Sequence, residues 1–157
     1  MKKEKTNVMR ILDRKKVSYL SHSYVDTEAI SGLEVATVLN QNPAQVFKTL
    51  VTKSSKNINY VFVIPVAKEL DLKKAARAVG EKSIEMLKSK ELLPLTGYIH
   101  GGCSPIGMKK QFKTVFDITA TNYQTIIFSG GKIGYQVELS LTDLEKVIDY
   151  TLADITI

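Results

Sequence analysis

Residues 46–66, VFKTLVTKSSKNINYVFVIPV, constrain this chain more than any other stretch. Two β-rich runs, VFKTLVTK and YVFVIPV, flank the polar turn SSKNIN, a pattern that predicts a β-hairpin. The flanking segments decide what the hairpin joins. Val8, Met9, Ile11 and Leu12 stand among charges and predict a one-sided helix within 6–16. Val17 to Tyr24 reads as a strand that ends in the turn DTEAIS. Ser31 and Glu34 form a capping-box start to the helix VATVL, which NQNP stops. After the hairpin, Asp71 caps LKKAARAV and Gly80 closes it. From residue 92 the texture becomes short strands and glycine turns: TGYIHGG, KTVFDIT, QTIIFSGGKIG and YQVELS. Thr142 and Glu145 make a second capping box opening DLEKVIDYT, and ADITI ends the chain as an edge strand. Strands outnumber helices and do not alternate with them. The expected class is therefore mixed α/β, a curled mixed sheet with helices outside, rather than a doubly wound fold.

At 157 residues the chain fits one domain, expected over 1–157. A single cysteine forms no internal disulfide and suits a reducing compartment. The N-terminus MKKEKTNVMRILDRKK lacks a signal-like apolar run, and no stretch reaches membrane length. The expected setting is cytoplasmic, with no membrane partner. Lys and Arg number 22 against 16 acidic residues, giving +6 and a pI near 9.3. Such a surface either attracts a polyanion or is a solvated lysine coat; composition does not choose. The tightest basic cluster, MKKQFK at 108–113, directly follows a glycine loop.

That loop, GYIHGGCSPIGMKK at 97–110, holds the only cysteine and one of two histidines. It is no phosphate loop: Gly102 and Gly107 have the spacing, but Met108 replaces the lysine and Lys109 the Ser/Thr. No dinucleotide fingerprint occurs either. His100 and Cys103 give an H-x-x-C spacing, yet only His22 remains as a further soft ligand, so no metal and no cofactor are expected. Cys103 is either a nucleophile with a histidine base or a small space-filling residue. Two glycine turns, HGGCSPIG and SGGKIG, can bring backbone N–H groups close to a ligand. Lys48 stands inside the apolar run QVFKTLV, where it either faces solvent or binds a carbonyl or phosphate oxygen as a point charge.

These residues resemble the YbaK/ProX family of aminoacyl-tRNA trans-editing deacylases, most closely its Cys-tRNA(Pro) branch. The matching stretches are SHSY, NPAQVFKTLV, PVAKELDLKKAARAVG, TGYIHGGCSPIGMKK, SGGKIG and VEL, in family order and across nearly the whole chain. The resemblance implies a highly curved, largely antiparallel mixed sheet with peripheral helices. It implies hydrolysis of misacylated tRNA as the activity, with tRNA(Pro) as partner and prolyl-tRNA synthetase as its possible source. Lys48 matches the family's essential lysine, followed by Thr49, and Tyr24 matches a pocket tyrosine. Gly101 and Gly102 match the paired glycines that approach the aminoacyl group. Ser129, Gly130 and Gly131 match the opposing loop, and Gly134 completes the substrate-binding set. Gln136 stands where the family often has an aspartate, and Cys103 where an aliphatic residue is common. The mechanism implied uses no protein nucleophile, because the substrate's own thiol attacks its carbonyl. Two other classes remain open at this point: a thiol hydrolase using Cys103, and a non-catalytic tRNA-binding module of the same fold.

Overall fold

A computed structural model describes residues 5–157. The start of the expected 1–157 domain and of the N-terminal reading, residues 1–4, lies outside the described residues. The hairpin forms where the sequence places it, as β2 (Phe47–Ser54) and β3 (Asn59–Pro65), paired antiparallel from Phe47↔Pro65 to Lys53↔Asn59. It is the centre of a five-stranded sheet. β4 (Ile84–Met86) pairs with the far end of β2, while β5 (Lys113–Asp117) and β8 (Thr151–Ala153) extend the β3 side in parallel, giving the order β4-β2-β3-β5-β8. β1 (Leu20–Ser23), β7 (Tyr135–Leu139) and β6 (Ile126–Ser129) form a second, antiparallel sheet in the order β1-β7-β6. A parallel bridge, Val46↔Ile127, joins the two. The curved mixed sheet is thus drawn as two sheets that part company beside β2.

The helices cover the outside. α1 (Asn7–Arg14), capped by Thr6, drives Val8, Met9 and Leu12 into the main core with Phe116, Phe128 and Val137. α2 (Gly32–Val38) opens on the expected Ser31/Glu34 capping box. α3 (Leu72–Val79) is capped by Asp71 and ended by Gly80 in the left-handed region, and it packs Ala75 and Ala76 on Phe62 and Ile64. The hairpin therefore has a core on each face, which suits its nearly continuous apolar run.

Two expectations shift. Residues 89–96 are a helix, α4 (Ser89–Thr96), and GYIHGG after it is irregular, with a bend at Gly97 and a turn at His100–Gly101, rather than a strand. Pro94 sits inside α4, and its missing N–H disguises the helix at sequence level. The helix α5 is only Leu141–Leu144, capped by Ser140 and not by Thr142. The helix thus starts two residues earlier than expected; Leu144 at its end and Ile148, four residues on, both enter the main core.

Candidate active site

The site begins with an incomplete ladder. Ser54 N–H donates to Ile58 and Val66 N–H to Val46, so even-numbered residues of β2 bond toward β3. Odd-numbered residues point their N–H and C=O to the opposite edge. Along that edge Gln45 C=O accepts from Ile127 of β6, and Val51 C=O accepts from Leu87 beyond β4. Thr49 lies between these two attachments, and no strand among the described residues pairs with it on this edge. An open stretch of sheet edge therefore forms the floor of a cleft of about 570 Å³, within the usual range for small-ligand sites.

Both faces of β2 reach this cleft. Lys48 and Leu50 line it on one face, Phe47 and Thr49 on the other. Lys48 is half-buried and makes no hydrogen bond or ion pair among the described residues. A partly desolvated ammonium without a counter-charge attracts an anionic or carbonyl oxygen more strongly than one in open water. Thr49 Oγ1 is sealed from solvent and has no hydrogen-bond partner among the described residues. Leaving a hydroxyl so costs on the order of 1–3 kcal/mol unless a ligand or water satisfies it.

One wall is the β1–α2 segment, with Tyr24 and residues 30–35. Tyr24 is buried, and its N–H donates to Gly134 C=O at 2.8 Å, which ties this wall to the second glycine turn. A second wall is α4 and the first glycine loop, with Leu92, His100, Gly101 and Cys103. Ser129 and Gln136 close the end formed by the second sheet. Gln136 is buried and exchanges amide hydrogen bonds with Gln41, at 2.8 and 3.3 Å.

Of the residues expected from sequence, Tyr24, Lys48, Thr49, Gly101 and Ser129 converge on the cleft. Gly102, Gly130, Gly131 and Gly134 do not line it. Their N–H groups explain part of this: Gly102 donates to Ile99 C=O, Gly130 to Tyr135 C=O and Gly131 to Ser129 Oγ. Gly102 instead allows the two loops to meet, since a Cβ there would lie 3.1 Å from Ile133 N. Of these five glycines only Gly101 lines the cleft, and its N–H has no protein partner among the described residues.

Sequence reasoning passed over Leu92 and residues 30–35 as lining residues, weighed His100 only as a metal ligand or base, and treated Gln136 as a departure rather than a lining residue. The strand register carried a usable signal for Gln136, which shares a sheet face with Ser129 opposite it.

The chemistry available to Cys103 follows from burial. The thiol is 8% exposed, and desolvation pushes its pKa up to about 12, far from thiolate at neutral pH. Tyr98 OH donates to Ile106 C=O and Ser104 Oγ accepts from Ile106 N–H, so the loop around Cys103 is braced from within. His22 is bound to Glu138 at 2.8 Å on the second sheet and does not line the cleft. Burial pushes the Glu138 carboxyl up, but hydrogen bonds from Thr125 and His22 outweigh it and leave the pKa lowered. Among the described residues no three His, Cys, Asp or Glu side chains are grouped as a metal site.

Fold and cleft define a mixed α/β domain with a cleft floored by an open sheet edge, beside Lys48, which is unpaired among the described residues. The chain belongs to the aminoacyl-tRNA editing domain family, whose model matches residues 27–147. It is 46% identical over 154 residues to a protein of Enterococcus faecalis named "Putative Cys-tRNA(Pro)/Cys-tRNA(Cys) deacylase EbsC", covering 98% of this chain and 94% of that one. Among solved structures it resembles the hypothetical protein APE2540, with a TM-score of 0.86 at 21% identity over 96% of this chain and 99% of that one. It also resembles a structure described as "a putative trans-editing enzyme for prolyl tRNA synthetase", with a TM-score of 0.81 at 22% identity over 98% and 99%. At such identities the two structures speak for the fold alone.

Proposed function

We propose that this protein is a single-domain trans-editing deacylase of the cytoplasm that frees cysteine from mischarged Cys-tRNA(Pro). Lys48 carries the reading: an unpaired, half-buried cation on the floor of a cleft whose only thiol is buried and protonated. The family relationship and the E. faecalis relative's printed name support the substrate. Prolyl-tRNA synthetase is the proposed source of the mischarged tRNA, because a synthetase pocket rejects an amino acid of similar size only weakly. No helix among the described residues is long and apolar enough to cross a membrane.

In this reading Lys48 and the Gly101 N–H hold the oxygens of the aminoacyl ester, and Tyr24, Thr49 and Ser129 fix its orientation. Gly102, Gly130, Gly131 and Gly134 are proposed to act one step back, by shaping the two turns. The cysteinyl sulfur then attacks its own carbonyl carbon. A four-membered thiolactone closes, the ester C–O bond breaks, and the thiol proton passes through solvent to the departing ribose oxygen. Water subsequently opens the thiolactone. Orientation alone is a sufficient source of rate, since effective molarities reach about 10⁵–10⁸ M in well-aligned intramolecular reactions.

Single-turnover deacylation of tRNA(Pro) charged with cysteine, serine, alanine or S-methylcysteine tests this. Cysteine is expected to leave far faster than the other three. Equal rates for cysteine and S-methylcysteine would transfer the chemistry to water. Lys48→Ala is expected to slow cysteine release by about 10²-fold or more with an unchanged melting temperature, as for loss of an oxyanion-type contact. Near-wild-type turnover by that variant would remove Lys48 from the site.

A further inference from the structure

The two segments that supply the walls of the cleft carry opposite charge, and of the charged side chains named below only Glu34 lines the cleft itself. The β1–α2 wall, residues 20–40, contains Asp26, Glu28 and Glu34 and not one lysine or arginine. The wall built from α4 and the first glycine loop, residues 88–113, contains five lysines, Lys88, Lys90, Lys109, Lys110 and Lys113, against the single carboxylate of Glu91. All five lysines are exposed. Glu91 is partly buried, with one oxygen sealed from solvent. Four lysines elsewhere are paired, in Lys5–Asp13, Lys53–Glu85, Lys74–Asp154 and Lys146–Asp143, whereas none of these five has an ion-pair partner among the described residues.

Their placement relative to the cleft is fixed by the backbone. Lys88 follows Leu87, whose N–H is bonded to Val51 C=O just past the open stretch of β2. Lys90 lies in the first turn of α4, and Leu92 in the same helix lines the cleft. Lys109 crosses the other end of α4: its stem would meet a Cβ on Gly97 at 3.4 Å, and its ammonium reaches Pro94 C=O at 3.5 Å. Unpaired cations therefore flank α4 at both ends, about 12 Å apart along an eight-residue helix.

We propose that this wall is the docking surface for the sugar–phosphate backbone of the tRNA acceptor stem. The polyanion arrives over α4 and the 97–113 loop, while the acidic β1–α2 wall faces only the terminal nucleoside and its amino acid. A backbone track of lysines gives affinity and direction of entry without reading sequence. Opposite charges on the two walls leave one orientation of the stem attractive and its reverse repulsive. The inference rests on the deacylase reading for the identity of the RNA.

The test compares two charge-matched triple variants of the full chain. Lys88→Glu/Lys90→Glu/Lys109→Glu reverses the wall, and Lys56→Glu/Lys73→Glu/Lys82→Glu reverses exposed lysines on the hairpin turn, on α3 and before β4. Binding of uncharged tRNA(Pro) is followed by fluorescence anisotropy across a salt series. Turnover is measured on Cys-tRNA(Pro) and on a cysteinyl ester of a CCA trinucleotide, which has the terminal nucleoside but no stem. The wall variant is expected to bind tRNA on the order of 10²-fold more weakly, with a shallower salt dependence, as lost phosphate contacts require. Its preference for full tRNA over the trinucleotide ester should fall by a similar factor, while the control variant keeps both properties. Equal losses in the two triple variants, or an unchanged preference for full tRNA in the wall variant, would overturn the surface. Wild-type protein that binds tRNA through the wall but cleaves neither ester would overturn the deacylase reading and leave the surface standing.

Discussion

The two glycine turns look alike in sequence and differ in what their glycines do. In the 99–103 turn, Gly101 faces the cleft with a positive φ of 88°, and a Cβ there would find only side-chain atoms of Ile133 and Ile30, at 3.6 Å or more. In the 129–134 turn, Gly131 has nearly the same φ, 89°, but a Cβ would collide with Val8 at 2.8 Å and crowd Tyr98 at 3.2 Å. Val8 is fully buried and Tyr98 nearly so. The first turn leaves a backbone donor for a ligand; the second lets α1 and Tyr98 pack against the loop. A glycine pair is thus no guide to ligand access until its neighbours are known.

The sharpest way to break this contrast is to add one methyl group to each turn. Gly131→Ala should cost about 3 kcal/mol of stability, from left-handed strain and overpacking of buried neighbours, read by urea unfolding. Gly80→Ala is its internal control. It has a similar φ of 73° but no atom within 4 Å, so about 1 kcal/mol from backbone strain is expected. If both cost the same, packing is not what distinguishes the second turn.

Gly101→Ala should show the reverse balance, with roughly tenfold slower deacylation and a stability loss near that of Gly80→Ala. Unchanged turnover would mean the Gly101 N–H is not presented to substrate. The smallest effect belongs to Cys103, two residues on. Cys103→Ser should keep turnover within about threefold, as a residue outside the chemistry would. The native thiol should also resist iodoacetamide at mildly alkaline pH. The folded-state pKa is raised from 9.0 to about 12, so the native state holds its proton longer than the unfolded chain. Stability from this group is complete below pH 9.0 and declines as pH rises toward about 12, a loss that Cys103→Ala should reduce. Alkylation at neutral pH with concurrent loss of activity would restore the thiol-hydrolase alternative.

Much of the fold was legible because local signals agreed with tertiary demands. The hairpin, the Ser31/Glu34 box and the Asp71-to-Gly80 helix all announce themselves within a few residues, and each forms as read. α4 was hidden by Pro94, whereas α5 was expected but with its cap at Thr142 rather than at Ser140, which caps it. Lys48 was visible as a cation in an apolar strand. What no local signal could supply was the gap between β6 and β4 that opens the β2 edge at Thr49. That gap depends on three segments distant in sequence, as does the joining of Gln136 to Gln41 across 95 positions. Charge asymmetry between the walls was countable in the sequence but had no meaning until both segments bordered one cleft.

The unpaired edge of β2 also makes the protein its own occupancy meter. Thr49 belongs to the central hairpin, where neighbouring amides such as Leu50 and Thr52 are locked into the ladder with β3. Its own amide lacks that lock and faces the cleft. In hydrogen–deuterium exchange it should stand out as a fast site within a slow strand, without any need for the hairpin to open. A ligand lying along the edge would slow that one amide while leaving its neighbours as they were. Protection at a single backbone position could then report binding of substrate, product or inhibitor in the absence of turnover.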